Sequence, residues 1–469
     1  CLLAFLCIQL WFLQADPHIN ISTSRGPFTD EGLNTFQARN FINTGEWGMN
    51  EGDNLIKSPL YNGYLATVMW VFNSSRDTLR LATLLTSLQL MGFFFFQIKN
   101  RLTAIAGFQF HLFQFFHFSM VEMIVNTCML VSIGFAYQYL KGGKRRSLLL
   151  SYLLVFACFL LKIQYGYLLL FPFAVWLTGI FTKRDISIWK TLFSLGGLAI
   201  LSIALFYLVW YLPFQETFQT VWAHQGTDRF AALDSISTVF MDSGKYLVWN
   251  EYNIWFAIAF AISFPIGIFF LFRSNNSLKL FLLVSGVWVL FESHKMIILY
   301  LPTRYTLSLF MAMALWMSIV ITMAFTKRAV SAKKFRYWIK PSLGLLILLP
   351  VLFGNTFNFK ELLDKRSFHS QSIINQYDNH NYSGQTIVGV WATSLIWNPT
   401  AHVIPVWKNF MNDDEILEKR KPTLIVTEEN EQDSEQVFSS RGIDLKSIAD
   451  SASQYKYGVY QINFYHLSY

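Results

Sequence analysis

The stretch "PLYNGYLATVMWVF", Pro59–Phe72, decides how this chain of 469 residues folds. It is apolar over about 14 residues, whereas a helix needs about 20 to cross a hydrocarbon core of roughly 30 Å. Longer apolar runs of about 15–22 residues recur along the chain up to about residue 355. Five basic clusters separate them: "KNR" (Lys99–Arg101), "KGGKRR" (Lys141–Arg146), "TKRDISIWK" (Thr182–Lys190), "RSNNSLK" (Arg273–Lys279) and "TKRAVSAKKFRYWIK" (Thr326–Lys340). Loops rich in Lys and Arg stay cytoplasmic. If Pro59–Phe72 crossed the membrane, all five clusters would lie outside; if it does not, all five lie inside. The stretch is therefore expected to lie along the membrane or to re-enter it.

On that parity the spans fall near 78–97, 101–118, 121–140, 147–162, 165–181, 190–211, 252–272, 278–291, 303–325 and 341–355. With a first helix, of which Cys1–Leu13 reads as the surviving part, there are about eleven crossings. Residues 16–77 become one long external loop holding membrane-lying helices. The 212–251 loop, the Glu292–Arg304 turn and everything after about residue 356 share that side.

Composition agrees with this reading. The chain is 53% hydrophobic and 14% charged, unlike a soluble domain. Its net charge of +8 calls for no nucleic acid; where the basic residues fall along the chain matters more. The cysteines Cys1, Cys7, Cys128 and Cys158 all lie in apolar segments, so neither a disulfide framework nor a CxxC metal site is expected. The expected fold is an all-α polytopic membrane domain, residues 1–355, followed by a small external α/β domain, residues 356–469. That second domain carries strand-like runs in "TIVGVW", "PTLIVTEE" and "YGVYQINFY", with helical patterning around "DDEILEKR" and in "DSEQVFSSRGIDLKSIADSA". Asp413–Asp414 reads as an exposed helix start.

The polar residues gather at the external face. Asp30, Glu31 and Lys57 lie in the first external loop, and Glu122 opens one span there while Lys162 closes the next. His224, Asp228 and Arg229 occur in "VWAHQGTDRF"; Glu292, His294, Lys295 and Arg304 surround "LPTRY". Ionisable groups at a membrane are costly and rarely idle, so their convergence marks a candidate site. Carboxylates serve as general bases, and lysine or arginine suits a phosphate leaving group. The set fits transfer of a group from a membrane-embedded, phosphate-bearing lipid. Each residue also has a structural alternative. Asp30 could be a helix N-cap, Glu31 a helix support and Glu122 a helix-start acid. Lys57 and Lys162 could snorkel to head groups. His111 and His117 read as interhelical hydrogen-bonding residues.

"TDEGLNTFQARNFINTGEW…IKSPLYNGYL" resembles the first external loop of GT-C glycosyltransferases, in the branch of protein O-mannosyltransferases and lipid A aminoarabinose transferases. Glu122 in "SMVEMIVNTCML", the lysine of "FACFLLKIQYG" and the His224/Arg229 pair follow the family order, as do Arg304–Tyr305 and the closing soluble domain. The resemblance implies an inverting transferase that takes a sugar from a polyprenyl-phosphate donor. Asp30 would be the base, with Glu31 and Glu122 as accompanying acids. Lys57, Arg229, Arg304 and Lys162 would hold the donor phosphate, and His224 and Tyr305 would contact substrate or a metal. Ser58 replaces the first proline of the family's lysine-proline pair, and Ile56 stands where some relatives carry a metal-ligating glutamate. No metal ligand is therefore assigned; a divalent cation stays open as a cofactor, with Asp53 the nearby acid. The acceptor, whether lipid, glycan or protein, is not specified. A transporter or lipid flippase is the alternative, but it would keep its charges near the midplane and show repeated halves.

Overall fold

Pro59 opens a helix that stops short of crossing. Proline suits the first helical turn, where its missing N–H leaves no bond unmade. The helix covers Pro59–Val71, 13 residues, or roughly 20 Å at the usual rise. Tyr61, Asn62, Leu65, Ala66 and Met69 bury one face in the protein, while Leu60, Trp70 and Val71 stay exposed on the other.

The computed structural model describes residues 2–18, 25–49, 51, 54–98, 115–181, 188–225, 235–247, 253–274, 277–298, 303–325, 339–408, 411–413 and 416–468. Among them, eight helical segments are long and apolar enough to cross a membrane: Arg76–Phe96, Val121–Gly142, Ile163–Phe181, Ile188–Tyr211, Ile254–Arg273, Leu278–Ile297, Thr303–Phe325 and Pro341–Asp364. Arg145–Leu161, at 17 residues, packs along Val121–Gly142 as the expected partner span. At the position of the expected first span the described helix is Leu2–Trp11, ten residues, which is not among these eight, and most of the expected 101–118 span lies outside the described residues. The chain is a polytopic helical membrane protein. Its last span runs on to Asp364, past the end expected at residue 355.

Two spans form the centre of the bundle. Val121–Gly142 is 89% buried and Thr303–Phe325 94% buried, whereas Ile188–Tyr211 at 11% is a rim helix. Gly143 caps Val121–Gly142 in the left-handed region, φ 64°, which glycine adopts without strain. The chain turns there through "KGGKRR" into Arg145–Leu161. That hairpin puts the basic cluster at one end and Glu122 with Lys162 at the other.

The C-terminal region is a five-stranded mixed sheet in the order β2-β1-β3-β5-β4. Its strands are β1 Thr386–Val388, β2 His402–Ile404, β3 Leu424–Glu428, β4 Ser451–Tyr457 and β5 Tyr460–His466. β1 pairs in parallel with β2 and β3, while β5 pairs antiparallel with β3 and β4. The sequence reading misses β2, which is three residues long, and β4. The latter, "SASQYKY", is a polar, largely exposed edge strand without the apolar alternation that marks half-buried strands. Asp413 is corrected as well: it is buried rather than exposed and paired with Arg441 at 3.1 Å, and the described helix that follows is Ile416–Arg420. Asp414 lies outside the described residues.

The segment between the first helix and Arg76–Ile98 is packed against this sheet domain. Gly32, in the Gly26–Thr44 helix, lies so close to the other chain segment that an added Cβ would stand 2.3 Å from the Thr393 carbonyl carbon. Arg39 donates to Ile396 O at 2.8 Å and to Thr393 O, and its guanidinium covers the Trp397 ring at 4.0 Å. Asn40 exchanges two hydrogen bonds with the Val403 backbone. The helix carrying Asp30 is thus held between the membrane bundle and the C-terminal domain.

Candidate active site

The candidate residues sit at helix ends that meet. Asp30 is the fifth residue of Gly26–Thr44, whose N-cap position is Arg25, so Asp30 is no cap. Glu122 is the second residue of Val121–Gly142, and Arg304 the second of Thr303–Phe325. Lys162 is an extended residue, φ −157° and ψ 110°, that breaks the chain between Arg145–Leu161 and the 3-10 turn Ile163–Leu170.

These four side chains form one ion cluster, with Asp30, Glu122 and Lys162 buried and Arg304 half-buried. Arg304 Nη1 lies 2.5 Å from Asp30 Oδ2, as an ion contact rather than an aligned hydrogen bond. Its Nε is 4.0 Å from Glu122 Oε1, and the Lys162 ammonium donates to that same oxygen. Glu122 Oε2 has no hydrogen-bond partner among the described residues. Tyr305 lies in the same cluster: Lys162 Nζ stands 4.7 Å from its ring centroid and the Arg304 guanidinium 4.8 Å. A lysine so engaged is not snorkelling to head groups.

Asp30 is in the helix outside the spans, and its carboxyl is pushed up to about 6. Burial is the main cause and Glu122 adds to it, against the lowering influence of Arg304 and Lys162. A carboxylate near neutrality in a desolvated, charged pocket is a candidate for proton transfer.

Lys57 ends the short Asn54–Lys57 helix, partly exposed, within electrostatic range of Tyr305. The preceding residue anchors it: Ile56 is buried with Phe218 and Val221, and its carbonyl accepts from Trp210 Nε1 at 3.1 Å.

Glu31, expected among the catalytic acids, is tied into a different network. Arg80 grips it in a two-point pair, Nε to Oε1 at 2.7 Å and Nη2 to Oε2 at 2.6 Å, and the Ser119 N–H adds a third bond at 2.9 Å. The arginine and the backbone amide hold its carboxyl below the ordinary range despite burial. This geometry suits a structural anchor better than a reacting group. Arg80 is what the sequence reading overlooks. Its signal was an arginine inside an apolar span, a position that demands a partner. His117, expected to bond between helices, lies in a turn, and its Nδ1 is 3.0 Å from Oε1 of Gln9 in the Leu2–Trp11 helix. Arg229, Asp228, Asp53, His111 and the His224 side chain lie outside the described residues.

No protein-family model and no curated protein matches the sequence. Solved structures do match. ArnT from Cupriavidus metallidurans in the apo state aligns with a TM-score of 0.59 at 13% identity, covering 99% of this chain and 96% of that one. The same organism's ArnT bound to undecaprenyl phosphate aligns with a TM-score of 0.55 at 13% identity, covering 98% and 97%. Over almost its whole length, then, the chain has the fold of ArnT.

Proposed function

We propose that this chain is a membrane glycosyltransferase that moves a sugar from a polyprenyl-phosphate donor to an acceptor at the extracytoplasmic face of the plasma or bacterial inner membrane. A fold hosts many chemistries, so the reading rests on the site. The observation that carries it is the cluster of Asp30, Glu122, Lys162 and Arg304, brought from four segments to one end of the bundle. Support comes from the ArnT fold, one of whose structures holds undecaprenyl phosphate.

In this reading Asp30 accepts the proton of an acceptor hydroxyl or amine as that group bonds to the anomeric carbon. The bond from that carbon to the phosphate oxygen breaks, and the lipid phosphate leaves with the electron pair, which inverts the centre. Lys57, Lys162, Arg304 and Arg229 balance the charge gathering on the phosphate. Glu122 holds Lys162 and Arg304 in place, and Tyr305 lines the same space. Among the described residues no three His, Cys, Asp or Glu side chains converge as a ligand set, and no step is routed through a metal. A transporter would keep such charges near the bilayer midplane; here Glu122 and Arg304 stand at the ends of the full-length segments Val121–Gly142 and Thr303–Phe325.

Purified protein given a panel of polyprenyl-phosphate sugars should release free polyprenyl phosphate with one of them, in step with acceptor glycosylation. Release with none of them, from folded protein, would defeat the reading. The side assignment has its own test. Single cysteines at Ser75, Gln225 and Ser383, in a background lacking the native cysteines, should react with an impermeant thiol reagent added outside. Gly143→Cys should not; labelling of Gly143→Cys with Ser75→Cys protected would mean that Pro59–Phe72 crosses.

The phosphate contacts predict coupled losses. Lys57→Ala and Arg304→Ala should each lower turnover and donor affinity, because a fixed cation gains most from the charge of the transition state. Groups on one phosphate couple by about 0.5–3 kcal/mol, so the double variant should depart from additivity. Donor titrations that show strictly additive effects would remove the shared phosphate contact.

A further inference from the structure

Glu292 is fully buried near the end of the Leu278–Ser293 helix, and no step of the proposed reaction uses it. Its carboxylate is saturated with partners. Trp288 Nε1 donates to Oε1 at 3.0 Å, the Ser308 hydroxyl donates to Oε2 at 2.6 Å, and the Tyr167 hydroxyl lies 2.9 Å from both oxygens. Lys295 Nζ pairs with Oε2 at 2.7 Å. The same ammonium donates to Tyr305 O at 2.7 Å and to Ser308 Oγ, and it faces the rings of Tyr165 and Tyr167 at 5.1 and 5.8 Å.

These partners come from the two segments that carry site cations. Tyr165 and Tyr167 belong to the Ile163–Leu170 turn that starts directly after Lys162. Tyr305 and Ser308 belong to the opening turns of Thr303–Phe325, where Tyr305 adjoins Arg304. Lys162 stands at an extended break between two helices, its N–H donating to Cys158 O at 3.0 Å and its carbonyl accepting from Tyr165 N at 2.9 Å, so the placement of the Ile163–Leu170 turn bears directly on the placement of its side chain. A buried ion pair is costly unless its geometry and hydrogen bonds are complete, and this one is complete on the carboxylate side.

We infer that Glu292, together with Lys295, is a positioning residue that ties the Lys162 turn to the first turn of the Arg304 helix and so sets the spacing of the two cations. The functional half of this inference rests on the proposed phosphate role of those cations; the placement half does not.

Glu292→Gln separates the two halves. The placement arm uses Asp30→Cys in a chain whose Cys1, Cys7, Cys128 and Cys158 are replaced by alanine. A thiol at that position reads the local field, with Arg304 and Lys162 favouring the thiolate and Glu122 opposing it. Its titration is followed by the pH dependence of methanethiosulfonate modification, and the plateau rate at high pH reports access to the reagent. Loss of the Glu292 charge by itself would lower the titration midpoint. Displacement of the cations raises it. We expect a rise of about half a unit or more with the plateau unchanged; an unchanged or lowered midpoint overturns the inference. In the otherwise native chain, Glu292→Gln should lower kcat for sugar transfer by about tenfold or more through misplaced cations. A wild-type kcat beside a raised midpoint would overturn the claim that the spacing serves transfer. Tyr167→Phe, which removes the hydroxyl and keeps the ring, should shift the midpoint in the same direction by less. It carries the same test if Glu292→Gln does not assemble. Should the wild type transfer no sugar at all, the functional reading fails while the thiol titration still decides the placement.

Discussion

Asp30→Asn should reduce sugar transfer by about 10²–10⁴-fold, the usual cost of losing a general base, while the protein still inserts and folds. Asparagine keeps the size of the side chain and can still accept a hydrogen bond, so the Gly26–Thr44 helix keeps its packing. What disappears is the proton acceptor and the charge facing Arg304. The pH profile provides an independent check. With its carboxyl pushed up to about 6, Asp30 is deprotonated and competent above that pH. Activity should therefore fall as pH drops through about 6. Glu122 raises the Asp30 carboxyl, so Glu122→Gln should move this acid limb to lower pH; Arg304 lowers it, so Arg304→Gln should move the limb higher. Opposite displacements from two neighbours of opposite sign are hard to obtain from general damage. Wild-type-like turnover in folded Asp30→Asn protein would remove the base assignment, and an acid limb indifferent to both neighbours would remove its identification with Asp30.

Much of this arrangement was legible because a bilayer restricts what a sequence can mean. Parity of the basic loops demanded that Pro59–Phe72 not cross, and the 13-residue helix found there is too short to do so. The same parity brought Asp30, Glu122, Lys162 and Arg304 to one face before any distance was known, and the ion cluster joins them. What parity cannot say is which charges on that face touch. Asp30 and Glu31 are adjacent in sequence, yet successive helical residues point about 100° apart. One meets Arg304 and the other Arg80. Long-range pairs such as Arg39 with the Ile396 and Thr393 carbonyls, or Glu51 with His402 at 2.9 Å and Arg420 at 3.0 Å, depend on how the C-terminal domain docks. No local pattern encodes that docking. Strand β4 was missed for a different reason: an edge strand needs no buried face, so its residues carry no apolar period.

Arg80→Met should cost about 3–5 kcal/mol of stability, because removing one member of a buried pair leaves the other charge uncompensated. Arg80 is 1% exposed and ties four parts of the chain together. It pairs with Glu31, donates through Nη1 to Leu13 O at 2.6 Å and Ala15 O at 3.0 Å, and faces the Phe118 ring at 5.0 Å. Methionine preserves much of the stem's volume, so the loss measured is the charge and its hydrogen bonds. In detergent the variant should show a markedly lower unfolding temperature and yield. Glu31→Gln added to Arg80→Met removes the stranded charge, and Gln still accepts from the Ser119 N–H, so most of the stability should return. That double variant also decides what Glu31 does. If Glu31 only anchors the helix that presents Asp30, transfer activity returns with the fold. If Glu31 reacts with substrate, the restored protein stays inactive while undecaprenyl phosphate still binds, and the catalytic role expected of it from the sequence would stand after all.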